Sequence, residues 1–394
     1  MKLNVAVIFG GRSVEHEISV LSAHQCINAL DKEKYTAIPI YISKQGLWYT
    51  GKKLLDLENF RDLDLLVSRC HKIGLSQNVS EHKIYKDYPV IFSKKFLAKI
   101  DIAFPVLHGT NCEDGVLQGF FELMNIPYVG CDVLSSAVTM DKVTTKMLMQ
   151  SMEIPVLKYV WFYSHEWIDS RKAMLAKIKA KLSYPMIVKP ANLGSSIGIT
   201  VVKNQDDLCE AVDLVIGMSK RILIEPLITK VQEVNCAVLG DSSDSEVSVC
   251  EEPVRSESIL TYQDKYSGGS KLDTANVSSS GMSSAKRIIP AVISRALSKQ
   301  IQSIAKKAFT ALNCCGVVRV DFLINKKDKK VYLCEINTIP GSLSFYLWEP
   351  MGKTFTELAD RLIELALKRH RESNNLNISY DSNILRGWKN GSKC

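Results

Sequence analysis

Hydrophobic and polar residues follow two periods along this chain, and together they predict both strands and helices. Residues 3–9 form a continuous apolar run that ends at Gly10, which is typical of a strand buried on both faces. Apolar residues then recur at helical spacing from Ile18 to Leu30, and a second apolar run follows near 36–42. A strand, a helix and a strand in this order predict a βαβ unit with a parallel sheet, and therefore an α/β fold.

The remaining pattern divides the chain into three domains and a tail. A strand at 101–107 closes the first domain, whose charged middle segment is left unassigned. Further apolar runs at 185–190 and 221–226 predict strands of a second domain. The predicted domains are 1–137, 138–227 and 228–370, with a loosely held polar tail at 371–394.

The third domain mixes helices and strands with one segment of unusual composition. Apolar residues at helical spacing predict a helix at 294–312, and Thr354 with Glu357 predicts the capping box of a later helix. Residues 267–287 are rich in serine and glycine. Because such a segment cannot bury enough apolar surface to fold alone, we expect a mobile loop.

Composition narrows the class of protein. The chain has 394 residues, of which 46% are hydrophobic, and no apolar stretch long enough to span a membrane. The N-terminal segment lacks a small-residue cleavage site, which favours a cytoplasmic protein. The eleven cysteines mostly stand singly in apolar segments and predict reduced, buried thiols. The net charge of +8 is spread through the chain and does not indicate nucleic-acid binding.

Two apolar runs in the third domain predict a β-hairpin. Residues 317–324 and 331–337 flank a charged turn centred on Asp328. A register symmetric about that residue places Asp321 opposite Glu335. Carboxylates facing each other across two strands lie roughly 5 Å apart and repel unless a positive charge compensates them.

The period of two along each strand sorts the hairpin into two faces. The register also places Arg319 opposite Asn337, on the face that carries the two acids. Two carboxylates and an amide are ligands that suit Mg²⁺ completed by nucleotide phosphates. The alternative is a surface hairpin whose acids face water or pair with Arg319. The opposite, core-facing set is predicted to be Val318, Val320, Phe322, Tyr332, Cys334 and Ile336.

A glycine-rich loop follows the strand at 185–190. Residues 190–198 contain glycines that let backbone N–H groups approach an anion, and Ser195 and Ser196 add hydroxyl donors. Lys189 stands at the entrance of the loop. The loop has neither the Walker A nor the G-x-G-x-x-G pattern, so a phosphate loop of another kind and a plain turn are both open.

Six strings of residues together resemble one family. FGGRSVEHEIS, VLHGTNCEDG, YVGCDVLSSAVTMDK, IVKPANLGSSIGI, YQDKY and VRVDF…LCEINTIPGS occur in the order found in the D-alanine:D-alanine ligases of the ATP-grasp superfamily. The resemblance covers about residues 3–370. It implies an ATP-grasp fold, α+β in its C-terminal part, behind an N-terminal Rossmann-like βαβ domain, with a lid at about 256–287.

The resemblance also implies where ATP and metal bind. Lys142 and Lys189 would hold the phosphates, Glu225 would meet the adenine, and Glu233 the ribose. The serines of the 190–198 loop, Ser195 and Ser196, and Lys265 of the lid belong to the same nucleotide site. Two magnesium ions, or manganese ions in their place, would be bound by Asp321, Glu335 and Asn337.

The resemblance also implies which residues bind the substrates. Glu15 would orient the ammonium group of the first D-alanine, and the hydroxyls of Ser195 and Tyr266 would hydrogen-bond with it. His108 matches a histidine close to the substrates. Arg319 and the N–H of Gly341 would stabilise the oxyanion. This chain has a short segment after Gly341, in which the acceptor's carboxylate would be bound by Ser344 or Ser342.

The implied activity is ATP-dependent ligation of two D-alanines through an acyl phosphate, for peptidoglycan precursors, by a homodimer. D-serine or D-lactate as acceptor is an alternative with the same chemistry. A catalytically silent nucleotide-binding protein is another. A dinucleotide-dependent oxidoreductase fails on the missing fingerprint. Cys112 stands where the family usually has glycine, and we expect it to narrow the turn before Glu113 rather than to be a reactive thiol.

Overall fold

The computed structural model describes residues 2–87, 95–254, 287–377 and 379. Nearly all of the predicted lid, including Lys265 and Tyr266, and most of the predicted tail lie outside these residues. None of the helices described is long and apolar enough to cross a lipid bilayer. The α-helices are α1 (His16–Ala29), α2 (Leu63–Ser68), α3 (Val116–Met124), α4 (Val133–Met140), α5 (Lys142–Ser151), α6 (Ser164–Asp169), α7 (Arg171–Lys179), α8 (Gln205–Val215), α9 (Arg295–Ala311) and α10 (Phe355–Asn374).

The first sheet has the strand order β6-β5-β4-β3-β2-β1-β7. Its strands are β1 (Leu3–Gly10), β2 (Tyr35–Ile42), β3 (Trp48–Thr50), β4 (His71–Leu75), β5 (Lys83–Lys86), β6 (Phe96–Lys99) and β7 (Ile102–Pro105). As the βαβ pattern predicts, β1 pairs in parallel with β2 and with β7. The prediction of a parallel sheet is wrong for the rest, since β2 to β6 pair antiparallel. The connections from β2 to β3, from β4 to β5 and from β5 to β6 are each shorter than the dozen or more residues that a parallel crossover needs. The longer connection from β3 to β4, which contains α2, has no such explanation.

Two further sheets follow along the chain. The second has the order β10-β9-β11-β8, with β8 (Val160–Tyr163), β9 (Met186–Pro190), β10 (Thr200–Val202) and β11 (Arg221–Pro226). The third has the order β14-β13-β12-β15-β16, with β12 (Val231–Gly240), β13 (Ser245–Pro253), β14 (Arg287–Ile288), β15 (Gly316–Asn325) and β16 (Val331–Asn337). The three sheets occupy separate stretches of sequence, and the domain boundaries at 137 and 227 stay predictions.

The predicted hairpin forms, and its register is confirmed at the four polar positions. Arg319 pairs with Asn337 and Asp321 pairs with Glu335. A β-bulge between Asp321 and Phe322 then shifts the register, so that Phe322 faces Leu333. A bulge adds one unpaired residue and exchanges the faces beyond it.

That exchange corrects two residues of the predicted core face. Leu333 is buried in the core, at 1% exposure. Tyr332 and Cys334, predicted to be on the core face, are only half-buried. The charges of Lys189 and Glu225 act on the Cys334 thiol, whose pKa burial raises to about 11. Cys334 therefore lies beside the cluster of buried charges at the end of β11.

The late helices agree with their sequence signals. In α10 the Thr354 hydroxyl accepts from the Glu357 N–H at 3.2 Å, and the Glu357 carboxylate accepts from the Thr354 N–H at 2.7 Å. This is the predicted capping box. The helix runs on to Asn374, so the predicted tail begins with helical residues. α9 starts after Ser294, whose hydroxyl caps it.

One hydrophobic core joins the first sheet to the C-terminal part of the chain. Phe9 on β1 belongs to the same cluster as Leu347, Trp348 and Leu362. The cluster includes the 3₁₀ helix Gly341–Leu347, which contacts α1. A second 3₁₀ helix, Glu349–Met351, follows it, and two more, Lys52–Leu55 and Leu57–Arg61, lie after β3. Packing against α1 fixes where the segment after Asn337 runs.

In the part of the chain that the structure describes, the cysteines are mostly buried, as predicted. Ten of them lie there, and all ten are free. Eight are buried and two are half-buried. A buried thiol behaves as a small hydrophobic side chain.

Candidate functional site

An open cleft brings together groups from all three sheets. It contains about 670 Å³ of empty space, counting the part that is open to solvent. The second-sheet side of the cleft is the loop after β9, and the third-sheet side is the β15–β16 hairpin with the residues that follow it. Among the residues predicted for the site, those that line the cleft are Glu15, His108, Lys142, Ser195, Arg319, Glu335, Asn337 and Gly341.

The hairpin carries a closely bonded polar face. The Arg319 guanidinium donates through Nε and Nη2 to the two oxygens of Asp321, at 2.7 and 2.8 Å. Asn337 Nδ2 donates to the same carboxylate at 3.2 Å. Burial alone would lower the pKa of Arg319, but Asp321 raises it above its ordinary value. The arginine is therefore permanently charged, and its planar fork is held in one orientation.

The same face fits a hard cation that completes its shell from elsewhere. Asp321, Glu335 and Asn337 offer oxygen ligands from adjacent strands. No group of three or more His, Cys, Asp or Glu side chains within the described ranges could hold a metal ion. Because Mg²⁺ prefers oxygen ligands, two acids and an amide are a donor set that it could share with phosphates and water.

Three charged side chains meet at the end of β11. The Glu225 carboxylate lies 2.7 Å from Lys189 Nζ and 2.5 Å from Lys146 Nζ, and all three groups are buried. Burial alone would raise the pKa of Glu225, but the two lysines lower it to about 2. Glu225 is therefore ionised at neutral pH, and it neutralises part of the positive charge around it.

Lys146 was not predicted for the site. It stands one helical turn after Lys142 on α5, so the two lysines share a face of the helix. That spacing could have suggested it. Lys146 is only 2% exposed, and it also lies over the ring of Tyr159 at 5.7 Å. A lysine buried to this extent needs a partner, and Glu225 is that partner.

Lys142 connects α5 to the glycine-rich loop and to the hairpin. Its Nζ donates to the Leu193 carbonyl at 2.7 Å and lies 3.7 Å from Glu335 Oε2. Its backbone N–H donates to the Ala191 carbonyl at 2.8 Å. The cation thus stands where the loop after β9 and the acids of the hairpin approach each other.

Glu15 and Ser195 meet across the cleft, as the resemblance implies. The Ser195 hydroxyl donates to Glu15 Oε1, although the two residues are 180 positions apart in the sequence. Gly194 passes so close that a Cβ there would come within 2.9 Å of Glu15 Oε2. Ser195 and Ser196 both have positive φ, at 51° and 62°. The loop therefore makes a tight turn around the Glu15 carboxylate.

His108 and Glu113 lie deep on the other side of Glu15. Both ring nitrogens of His108 are hydrogen-bonded, Nδ1 to the Ile339 carbonyl at 2.8 Å and Nε2 to Ser22 Oγ at 3.1 Å. Burial and the neighbouring Glu15 raise the pKa of Glu113 above its ordinary value. Glu113 was not predicted for the site, because a single acid in a loop offers no spacing signal.

The other predicted site residues that the structure describes lie outside the cleft lining; they are Lys189, Ser196, Glu225, Glu233, Asp321, Ser342 and Ser344. Ser342 and Ser344 are fully buried beneath it, at 0% exposure, so neither reaches the cleft in this conformation. Glu233 lies on β12 opposite Leu323, and Ser196 lies next to Ser195 in the loop; both are half-buried.

The chain is similar in sequence to D-alanine–D-alanine ligases over both its N-terminal and its C-terminal part. The model of the "D-ala D-ala ligase N-terminus" matches residues 4–131, and that of the "D-ala D-ala ligase C-terminus" matches residues 148–364. A D-alanine–D-alanine ligase of Thermosipho melanesiensis is 41% identical over 384 residues, which is 98% of each chain. One of Chloroherpeton thalassium is 40% identical over 384 residues, covering 94% of this chain and 98% of the relative.

Solved structures agree with the sequence comparison. The D-alanine–D-alanine ligase of Coxiella burnetii superposes with a TM-score of 0.77 at 32% identity, covering 95% of this chain and 96% of that one. The VanG D-Ala:D-Ser ligase of Enterococcus faecalis has the same TM-score at 34% identity, covering 93% and 100%. Because the matches extend over nearly the whole chain, the predicted ATP-grasp fold is confirmed. This chain belongs to the D-alanine–D-alanine ligase family.

Proposed function

We propose that this chain joins two molecules of D-alanine to D-alanyl-D-alanine, with conversion of ATP to ADP and phosphate, for the synthesis of peptidoglycan precursors. The observation that carries the proposal is the composition of the cleft. A buried acid bonded to a hydroxyl, Glu15 with Ser195, lies in the same cleft as a fixed cation, Arg319. The first pair suits the ammonium group of an amino acid, and the cation suits a developing oxyanion.

In the first half-reaction a carboxylate oxygen of the first D-alanine bonds to the γ-phosphorus of ATP, and ADP leaves. We assign Lys142 and Lys189 to the phosphates, because both are buried cations whose charges lie close to the Glu335 carboxylate of the hairpin. Magnesium held by Asp321, Glu335 and Asn337 would neutralise negative charge on the phosphates when bound. The protein's remaining contribution is to hold the reactants in line.

In the second half-reaction the amine of the second D-alanine attacks the carbonyl carbon of the acyl phosphate, and phosphate leaves as the amine loses its proton. We assign Arg319 and the Gly341 N–H to the oxyanion that forms at this carbonyl. Glu15 holds the ammonium group of the first D-alanine. We do not assign the acceptor's carboxylate to either Ser342 or Ser344, because both side chains are buried.

The acceptor is tested by measuring phosphate release and dipeptide together. We expect D-alanine alone to support turnover. When D-serine or D-lactate is present at the same concentration, less than a tenth of the product should contain it, as measured by mass spectrometry. If D-alanyl-D-serine or the D-lactate ester were the main product, the assignment of D-alanine as the acceptor would be wrong. Phosphate release with no coupled product would contradict ligation itself.

The metal site is tested by Glu335→Gln, which keeps the shape of the side chain and removes its charge. We expect turnover to fall about 100-fold, with a raised magnesium requirement, because the cation loses one carboxylate ligand. Glu349→Gln is the matched control, since Glu349 is an exposed acid outside the cleft. Equal turnover in the two variants would refute the metal assignment.

The proposal also includes the number of metal ions in each site and the number of chains in the assembly. We propose two magnesium ions per site, with manganese able to replace them, and a homodimer. Metal titration in the presence of a non-hydrolysable ATP analogue counts the ions. Light scattering after size-exclusion chromatography gives the mass, which we expect to be twice the 44.1 kDa of one chain.

A further inference from the structure

The segment Ile339–Ser342, which carries Gly341, is held by buried side chains that come from distant parts of the chain. The Ile339 N–H donates to Glu113 Oε1 at 3.1 Å. The Ile339 carbonyl accepts from His108 Nδ1 at 2.8 Å. Both polar groups of one peptide residue are thus bonded to side chains of the loop after β7. A residue bonded on both sides cannot rotate its flanking peptides independently.

The hydrogen bonds around His108 can be given a direction. A carbonyl only accepts, so Nδ1 must carry the proton in its bond to Ile339. Burial lowers the pKa of His108, which keeps the ring neutral and makes Nε2 an acceptor. Nε2 therefore accepts from the Ser22 hydroxyl at 3.1 Å. The Ser22 oxygen is then free to accept from the Ser342 N–H, at 3.2 Å.

These bonds form one continuous chain. It runs from the Ser342 N–H through Ser22 and His108 back to the Ile339 carbonyl, three residues earlier. Glu113 closes the other side, because its second oxygen accepts from the Gly109 N–H at 2.8 Å, next to His108. Gly341 lies inside this ring of bonds. Ser22 is 1% exposed and His108 is 3% exposed, so water does not compete for the bonds.

The backbone after Gly341 shows that the segment needs such anchoring. Ser342, Leu343 and Ser344 all have positive φ, near 50°. This left-handed region is unfavourable for side chains other than glycine and asparagine, by about 1 kcal/mol or more for each residue. Three such residues in succession persist only where surrounding contacts hold them.

We propose that Ser22, His108 and Glu113 are positioning residues that hold Ile339–Ser342 so that the Gly341 N–H is aimed at the carbonyl oxygen attacked in the second half-reaction. The inference rests on the proposed function, in which Gly341 is an oxyanion donor. It adds Ser22 and Glu113 to the residues on which the reaction depends, and it gives His108 a role exerted through the Ile339 carbonyl.

The test compares Ser22→Ala and Glu113→Gln with Ser19→Ala. Ser19 is a matched control because it lies on the same helix, one turn earlier, and is equally buried. Its hydroxyl donates to the Val106 carbonyl and accepts from the Gly10 N–H, at 2.6 and 2.8 Å. It therefore loses the same kind of bonds when truncated, but none to Ile339–Ser342.

Single-turnover and steady-state kinetics separate the two half-reactions. We expect kcat for dipeptide formation to fall about 10- to 100-fold in Ser22→Ala and Glu113→Gln, since a displaced oxyanion donor costs that much or more. KM for ATP should stay within twofold. ADP should still form, so that more than one ADP appears for each dipeptide. Ser19→Ala should keep kcat within threefold and one ADP for each dipeptide.

Hydrogen–deuterium exchange measures how firmly Ile339–Ser342 is held, independently of the activity. The peptide containing Ile339–Ser342 should exchange at least tenfold faster in Ser22→Ala and Glu113→Gln than in Ser19→Ala. Unchanged exchange, or a loss of ADP formation equal to the loss of dipeptide, would overturn the positioning role. If the wild-type chain makes no dipeptide from D-alanine but the exchange result is as expected, the proposed function is wrong. The anchoring of Ile339–Ser342 by Ser22 and Glu113 is then still supported.

Discussion

Glu225→Gln removes the negative charge that lies between two buried lysines. Glu225 is 1% exposed, and its two oxygens lie 2.5 Å from Lys146 and 2.7 Å from Lys189. The glutamine keeps the volume of the side chain but leaves both ammonium groups without their carboxylate. Because a buried charge without a partner is costly, the substitution should destabilise the folded chain.

The size of the loss follows from the pKa of the carboxyl. Burial alone would raise it, but the lysines lower the pKa of Glu225 from 4.5 to about 2 on folding. A tenfold change in acidity corresponds to about 1.4 kcal/mol, so the charged form stabilises the fold by roughly 3 kcal/mol at neutral pH. For a lowered carboxyl pKa this stabilisation is complete above pH 4.5 and is lost as the pH falls through 2.

Urea unfolding followed by tryptophan fluorescence measures this loss, because Trp161 and Trp167 lie on β8 and α6, beside the second sheet. We expect Glu225→Gln to lower the free energy of unfolding by roughly 3 kcal/mol at pH 7 and by about 1 kcal/mol at pH 3. Glu210→Gln, an exposed acid on α8, is the control and should change it by less than about 0.5 kcal/mol. A loss at pH 7 below 1 kcal/mol, or equal losses at both pH values, would refute the reasoning.

Two further predictions concern the loops around the cleft. Gly194→Ala should raise KM for D-alanine about tenfold, because the new Cβ would lie 2.9 Å from Glu15 Oε2. Gly74→Ala is the control, since a Cβ there meets nothing within 4 Å. Equal KM values in the two variants would contradict the prediction. The Cys112 thiol, 2% exposed and with a pKa raised by burial, should resist alkylation at pH 8 in the native chain and react only in urea. Fast native alkylation that ATP and D-alanine prevent would show instead that it is a reactive thiol of the site.

Patterns that depend on neighbouring residues were readable from the sequence. β11 begins and ends at the predicted residues 221 and 226. The hairpin register was predictable as far as Asp321 and Glu335, because alternation along two strands and a short charged turn leave few pairings open. The capping box at Thr354 is likewise a local hydrogen-bond pattern within four residues.

The resemblance to one family supplied what local patterns could not, since it assigned Glu15 and Ser195 to a common site. The structure places their side chains in hydrogen-bond contact across 180 residues of sequence. It also revealed the bulge after Asp321, which places Cys334 beside the buried charges of Lys189 and Glu225. Backbone hydrogen bonds on neighbouring strands decide a bulge, and the alternation of side chains gives no sign of it.

By itself the sequence determined the opening βαβ unit, the strand β11, the polar face of the hairpin and the family, because these follow from residue patterns along the chain. Only the tertiary structure decided which buried groups support the site. Lys146 became a partner of Glu225 through the packing of α5 against β11. Glu113 reached the Ile339 N–H across 226 residues. Such contacts depend on how separate sheets pack together, and that packing is set by the whole core rather than by any local pattern.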